Sequence, residues 1–338
     1  MPELRQNQFT KEWVIIATER AKRPEELVVQ REPKTVPKYS GKCPFCPGNE
    51  SNTPPEVLRY PATGHPWQVR VFPNKFAALS RDVQPRRSFE RSRRRIEGFG
   101  VHDVIVETPD HSMAMAHMSQ AEIAAVLRAY KARYDELSLD PRIAHITIFK
   151  NHGAGAGTSL EHPHSQLIAT PVISSQVRQR FQEALRHWDD YGDCMFCEMI
   201  REEMFQRTRM VAVSDRFVAL EYFASATPFS TYLYPVRHMA SFGDISAAEI
   251  DDLALMLQTV LGKLYVGLNN PDFNFVIRSA PAENAGVKYY HWYVSVIPRL
   301  TRVAGFELGS GMFINTVLPE DAAEFLRNVS MEELAMSR

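Results

Sequence analysis

Apolar positions along this chain fall into short runs that switch between two periods. Runs at 13–17 (WVIIA), 69–79 (VRVFPNKFAAL, turning at Pro73-Asn74), 104–107, 146–149, 167–169, 216–220 and 273–277 predict strands, being short, β-branched or aromatic and bounded by turn residues. Ser119 with Glu122 is a capping box, and Ile123, Val126, Leu127 and Tyr130 follow at helical spacing. Ser246 with Glu249 opens a second helix in the same way, and 174–190 reads as an amphipathic linking helix through Val177, Phe181, Leu185 and Trp188. Short strands mixed with a few long helices predict an α+β fold.

The pattern repeats. Cys194-Met195-Phe196-Cys197 echoes Cys43-Pro44-Phe45-Cys46, and Arg216 to Leu220 echoes Lys75 to Leu79. Pro235-Val236-Arg237-His238 echoes Pro109-Asp110-His111, and His291-Trp292-Tyr293-Val294-Ser295 stands where His162-Pro163-His164-Ser165-Gln166 stood. His111 and His162 are 51 residues apart, and His238 and His291 are 53 apart. A shared order of Cys pair, His, helix, strand and His predicts two tandem units, 1–185 and 186–338, each an antiparallel sheet with a packed helix.

Composition changes this picture little. With 338 residues and 44% apolar content the chain can bury a large core, as one large domain or two ordinary ones. The net charge of −1 gives no global bias toward nucleic acid or anionic membrane. Residues 86–95 hold six arginines and read as a solvated mobile loop, with a basic patch as the alternative. The N-terminus is polar and lacks a signal-peptide pattern. The most apolar stretch, 253–268, is interrupted by Gln258, Thr259 and Lys263, so no membrane span is expected and a cytoplasmic location is.

All four cysteines lie in two C-x-x-C pairs, each with histidines downstream. Cys43, Cys46, His111 and His162 form one Cys2His2 set; Cys194, Cys197, His238 and His291 form another. Thiolates with imidazoles in a closed set of four select zinc in a structural role, giving two ions per chain. Free buried cysteines are the plain alternative for either pair alone.

The most informative stretch is 151–166, NHGAGAGTSLEHPHSQ. Small residues permit close backbone approach and positive φ, and successive N–H groups can hold anionic oxygens, so it reads as a phosphate cradle. Pro163 holds two imidazoles in a defined relation. Fixing His162 to a metal would anchor the loop that carries His164. The second half has Tyr293 and Ser295 where the first has His164 and Gln166, and it lacks the glycines, so one active site per chain is expected.

These motifs, with 13–16, Arg20-Ala21-Lys22-Arg23-Pro24, 74–79, Pro109-Asp110-His111-Ser112, 304–307 and Ile314-Asn315, resemble the galactose-1-phosphate uridylyltransferases of the histidine-triad superfamily over nearly the whole chain. The resemblance implies two histidine-triad-like repeats, the first catalytic and the second degenerate. It implies His164 as the covalent nucleophile and Gln166 as the amide that holds a phosphoryl oxygen. It places Asn151 and Ser159 at phosphates, Arg20 and Arg23 near them, Asn74 beside the nucleoside, and Glu307 in a tail reaching across a homodimer toward the sugar. The substrates implied are a nucleotide sugar and a sugar 1-phosphate, with UMP exchanged between UDP-glucose and galactose 1-phosphate. The second Cys2His2 set resembles instead the ADP-glucose phosphorylase branch, which transfers adenylyl groups, and Lys75 stands where some uridylyltransferases have Asp. A phosphoramidate or dinucleoside-polyphosphate hydrolase is disfavoured by Gln166, where such enzymes typically keep a further His. A non-catalytic zinc-stabilised nucleotide-binding module is the alternative of a different class.

Overall fold

The computed structural model describes residues 2–17, 24–30, 36–62 and 66–336. Arg20 and Arg23 lie outside the described residues.

The two halves share one ten-stranded sheet. Its order is Met210–Val213, Phe217–Glu221, Thr231–Pro235, Tyr293–Pro298, Phe273–Arg278, His145–His152, His164–Thr170, Val101–Val106, Val69–Pro73 and Leu58–Tyr60. Each half gives five strands in the same relative order, and every pairing is antiparallel. The seam joins Phe273–Arg278 to His145–His152, with Val276 opposite Phe149. Neither half therefore leaves an open edge at the centre, where unpaired N–H and C=O groups would be costly.

Two helices cover one face. Gln120–Ser138 and Ala247–Gly267 both start at the expected capping boxes, Ser119/Glu122 and Ser246/Glu249. Ile123, Val126, Leu127 and Tyr130 of the first, and Leu253, Leu257 and Leu261 of the second, enter one apolar core with Ile105, Ile148, Leu167, Phe275 and Val294 from the sheet. Burial of this size is the main stabilising term. The linking helix runs Ser175–Tyr191, across the expected division at 185/186. A three-stranded sheet stands apart: Trp13–Ile16 pairs antiparallel with Glu3–Gln6 and parallel with Phe313–Asn315. It brings the C-terminal tail beside the N-terminal strand.

Three expectations change. The counterpart of Phe217–Glu221 is Val69–Pro73, not 75–79; the latter is a turn, because Asn74 Oδ1 accepts from Phe76 N–H and ends the strand. The arginine-rich segment is an exposed hairpin, Arg87–Glu90 with Arg93–Ile96, turned at Arg91 with φ of 56°. The two cysteine pairs also differ locally. Cys43 and Cys46 sit in turns, whereas Cys194 caps the N-terminus of a helix, Met195–Gln206. No helix among the described residues is long and apolar enough to cross a membrane.

Candidate active site

Strand period places the chemistry. In His164–Thr170, His164 and Gln166 point to the face away from the two core helices, while Ser165 and Leu167 point toward them. Val106 lies opposite His164 and Val104 opposite Gln166. The Cys43–Cys46 knuckle packs on this same face through Phe45, Phe72, Val104 and Val106.

The four donors of the first set are buried, and those of the second are buried or half-buried; in each set the ligand atoms lie within 4.8 Å of one another. Cys46 Sγ is 3.4 Å from His111 Nδ1 and 3.6 Å from His162 Nδ1. Cys197 Sγ is 3.3 Å from His238 Nδ1 and 3.4 Å from His291 Nδ1. The opposite ring nitrogens donate to backbone carbonyls: His162 Nε2 to Thr108 at 2.7 Å, and His291 Nε2 to Pro235 at 3.0 Å. These bonds fix the tautomer and leave each Nδ1 lone pair facing the sulfurs, as a metal ligand requires. Burial pushes His162 down to about 4, so it is neutral, the ligating form. Both sets fit zinc. Phe45 N–H to Cys43 Sγ and Ser40 N–H to Cys46 Sγ orient the first thiols.

His164 is held similarly. Its Nδ1 lies 2.8 Å from the carbonyl of His162, which can only accept, so the ring proton is on Nδ1. The lone pair is on Nε2. Burial lowers its affinity for a proton, keeping the imidazole neutral and nucleophilic at neutral pH. Phe45 presses edge-on, with ring centroids 5.4 Å apart. His164 is thereby coupled to His162, two residues before it.

Behind this strand lies a buried polar network that the apolar pattern did not reveal. Lys150 Nζ is 2.6 Å from Glu107 Oε2 and 3.4 Å from the His164 carbonyl. Ser165 donates to Glu107 and lies 2.5 Å from the Tyr130 hydroxyl. A signal was present: Lys150 follows Ile146 and Ile148 on the core-facing positions of its strand. On the outer face, His102 Nε2 is 2.8 Å from Gln166 Oε1 and 3.1 Å from Asn74 Nδ2, joining two expected site residues.

The glycine loop departs from the phosphate-cradle expectation. The N–H of Gly155 donates to Asp272 Oδ2 at 2.6 Å, and those of Ala156, Gly157 and Thr158 donate to carbonyls within the loop. Gly153 has φ of 82°, and a Cβ there would sit 1.9 Å from Asp272 Oδ1. The first two glycines thus admit a carboxylate of the second half, since a side chain at either would collide with it. Asn151 Oδ1 accepts from Asn274 Nδ2 at 2.8 Å, and Ser159 is exposed. Glu307 is not joined to this cluster. It lies in the short helix Gly305–Ser310, where it accepts from Ala304 N–H.

Tyr293, the counterpart of His164, packs against Tyr234 with ring centroids 4.9 Å apart, and Ser295 Oγ lies 3.4 Å from the Val276 carbonyl. Aromatic rings fill the space there.

The comparisons agree with this layout. Residues 1–174 match the galactose-1-phosphate uridyl transferase N-terminal domain, and 174–337 match its C-terminal domain. The ADP-glucose phosphorylase of Arabidopsis thaliana is 35% identical over 334 residues, covering 98% of this chain and 93% of that protein. The galactose-1-phosphate uridylyltransferase of Thermotoga maritima is 29% identical, covering 98% and 100%. Among solved structures, the Arabidopsis ADP-glucose phosphorylase with bound ADP-glucose superposes with a TM-score of 0.84 at 33% identity, covering 98% and 99%. A uridylyltransferase structure gives 0.75 at 26% identity, also covering 98% and 99%. A fused ten-stranded sheet, paired Cys2His2 sets and these matches across both halves place the chain in the galactose-1-phosphate uridyl transferase family.

Proposed function

We propose that this protein is a nucleotidyltransferase working through His164, with ADP-glucose as donor and phosphate as acceptor. The observation that carries the transfer step is the neutral His164 ring, with Nδ1 bonded to the His162 carbonyl and Nε2 left as nucleophile. In the first step Nε2 attacks the α-phosphorus. An N–P bond forms, the P–O bond to the sugar phosphate breaks, and glucose 1-phosphate leaves. In the second step an oxygen of the acceptor phosphate attacks the same phosphorus, the N–P bond breaks, and His164 returns neutral. Gln166 donates its amide to a phosphoryl oxygen as charge builds there. Asn151, Ser159, Arg20 and Arg23 serve the phosphates, Asn74 the nucleoside, and Glu307 the sugar, in a cytoplasmic homodimer. Cys43, Cys46, His111 and His162 would hold a zinc ion that tethers the loop before His164, and Cys194, Cys197, His238 and His291 would hold a second that ties down the second half.

The 35% identity to an ADP-glucose phosphorylase over 98% of the chain supports the adenylyl donor. The matches to both uridyl transferase domains favour a second reading, UMP exchange between UDP-glucose and galactose 1-phosphate through the same His164. Intact-protein mass after separate incubation with ADP-glucose and UDP-glucose tests both. A gain of one AMP from the first supports the adenylyl reading, and a gain of one UMP from the second moves the protein to the uridylyl reading. No gain from any nucleotide sugar, or a gain retained in His164→Ala, overturns transfer through His164.

A further inference from the structure

His102 is a half-buried histidine on Val101–Val106, opposite Ile168 and diagonal to Gln166 on the outer face of the sheet. Three contacts define its ring. The backbone N–H of Ala78 donates to Nδ1 at 3.1 Å. An N–H can only donate, so Nδ1 carries a lone pair and the proton of the neutral ring is on Nε2. Nε2 lies 2.8 Å from Gln166 Oε1, which accepts. The backbone closes the same link, since Asn74 N–H donates to the His102 carbonyl at 2.8 Å.

An amide has two ends of opposite character. With Oε1 held by His102, the NH2 of Gln166 is the end left to reach a phosphoryl oxygen. The flipped amide would set NH2 against Nε2–H, donor to donor, and turn its carbonyl oxygen toward an anion. Asn74 Nδ2 also lies 3.1 Å from Nε2, while its own oxygen is held by Phe76 N–H. That approach becomes a hydrogen bond only in the other ring tautomer, which would turn Nδ1–H against Ala78 N–H.

We propose that His102 is a positioning residue that locks the Gln166 amide with its NH2 toward the transferred phosphoryl group and ties that orientation to the 74–79 turn. The proposal rests on the nucleotidyl-transfer reading. Single-turnover adduct formation at His164 is measured for His102→Leu, His102→Gln, Gln166→Ala and His102→Leu/Gln166→Ala. His102→Leu is expected to slow the step about 10-fold, the rate equivalent of one hydrogen bond, with donor KM within about twofold. His102→Gln, which returns an N–H donor near the Nε2 position, recovers most of the rate. In the Gln166→Ala background His102→Leu adds nothing, because the group it orients is gone. An undiminished rate in His102→Leu, or the same further loss in the Gln166→Ala background, overturns the proposal. Nitrogen-15 NMR of the His102 ring gives a readout independent of turnover: the Nε2–H form is expected, and the Nδ1–H form overturns the proposal. A wild type that forms no adduct with any nucleotide sugar defeats the transfer reading instead, and the NMR result still decides the His102–Gln166 bond.

Discussion

Lys150→Met separates the electrostatic from the apolar contribution behind His164. Lys150 is 2% exposed and Glu107 is fully buried, and their charged atoms are 2.6 Å apart. Methionine keeps most of the aliphatic stem and removes the ammonium. Among the described residues the buried carboxylate then keeps Ser165 and Tyr130 as donors. Breaking a buried pair from one side typically costs about 3–5 kcal/mol, because an uncompensated charge remains. For a chain of this length that corresponds to roughly 4–7 °C in the thermal midpoint. Adding Glu107→Gln removes the stranded charge and keeps an acceptor for Ser165, so more than half of the loss should return. Urea unfolding followed by circular dichroism, at neutral pH with metal present, measures both single variants and the double variant. Adduct formation should slow in the single variant as well, since Lys150 also reaches the His164 carbonyl. A loss below about 1 kcal/mol in Lys150→Met, or a double variant whose loss is the sum of the two singles, would refute the reasoning.

Other consequences follow from the same contacts. His152 is stacked on Phe273 and donates to Asn270, and burial lowers it from 6.5 to about 4. The unfolded chain takes up that proton below its ordinary value and the folded chain resists, so this stability is present above pH 6.5 and drains as pH falls toward 4. Between about pH 7.5 and about pH 5 the wild type should lose about 2 kcal/mol more than His152→Phe in urea unfolding, and parallel losses would argue against it. Gly153→Ala places a Cβ against Asp272 at a φ of 82°, so the loop must shift; single-turnover labelling should slow about 100-fold, and wild-type labelling would show the close approach to be dispensable. Cys194→Ser should lose one zinc per chain by elemental analysis while His164 is still labelled, whereas His162→Ala should lose the other ion and the labelling together. Full zinc content in His162→Ala would remove it from the ligand set.

Local signals carried much of this fold into the sequence. Ser119/Glu122 and Ser246/Glu249 mark two helix starts within the chain itself, because a capping box is closed by residues three apart. Cys and His are few and chemically distinctive, so their repeated order exposed the two halves and both ligand sets. His162-Pro163-His164 placed the proposed ligand and the proposed nucleophile side by side for the same reason. The apolar content of 75–79 points to a counterpart of Phe217–Glu221, but the Asn74 side chain bends the backbone there into a turn.

The tertiary structure alone decided how distant segments pair. Antiparallel pairing of His145–His152 with Phe273–Arg278 brings together residues more than a hundred positions apart, and nothing local in either strand specifies it. That pairing puts Asn274 on Asn151 and leads Asp272 into the glycine loop. It thus turned an expected phosphate cradle into a loop braced partly by protein. The links from Lys150 to Glu107 and from His102 to Gln166 likewise depend on register across strands, where a shift of one residue would turn each side chain to the other face. Residue types and short-range spacing specified the proposed nucleophile and the two Cys2His2 sets. Which neighbours hold them, and in which tautomer, depended on strand pairing that only the folded chain supplies.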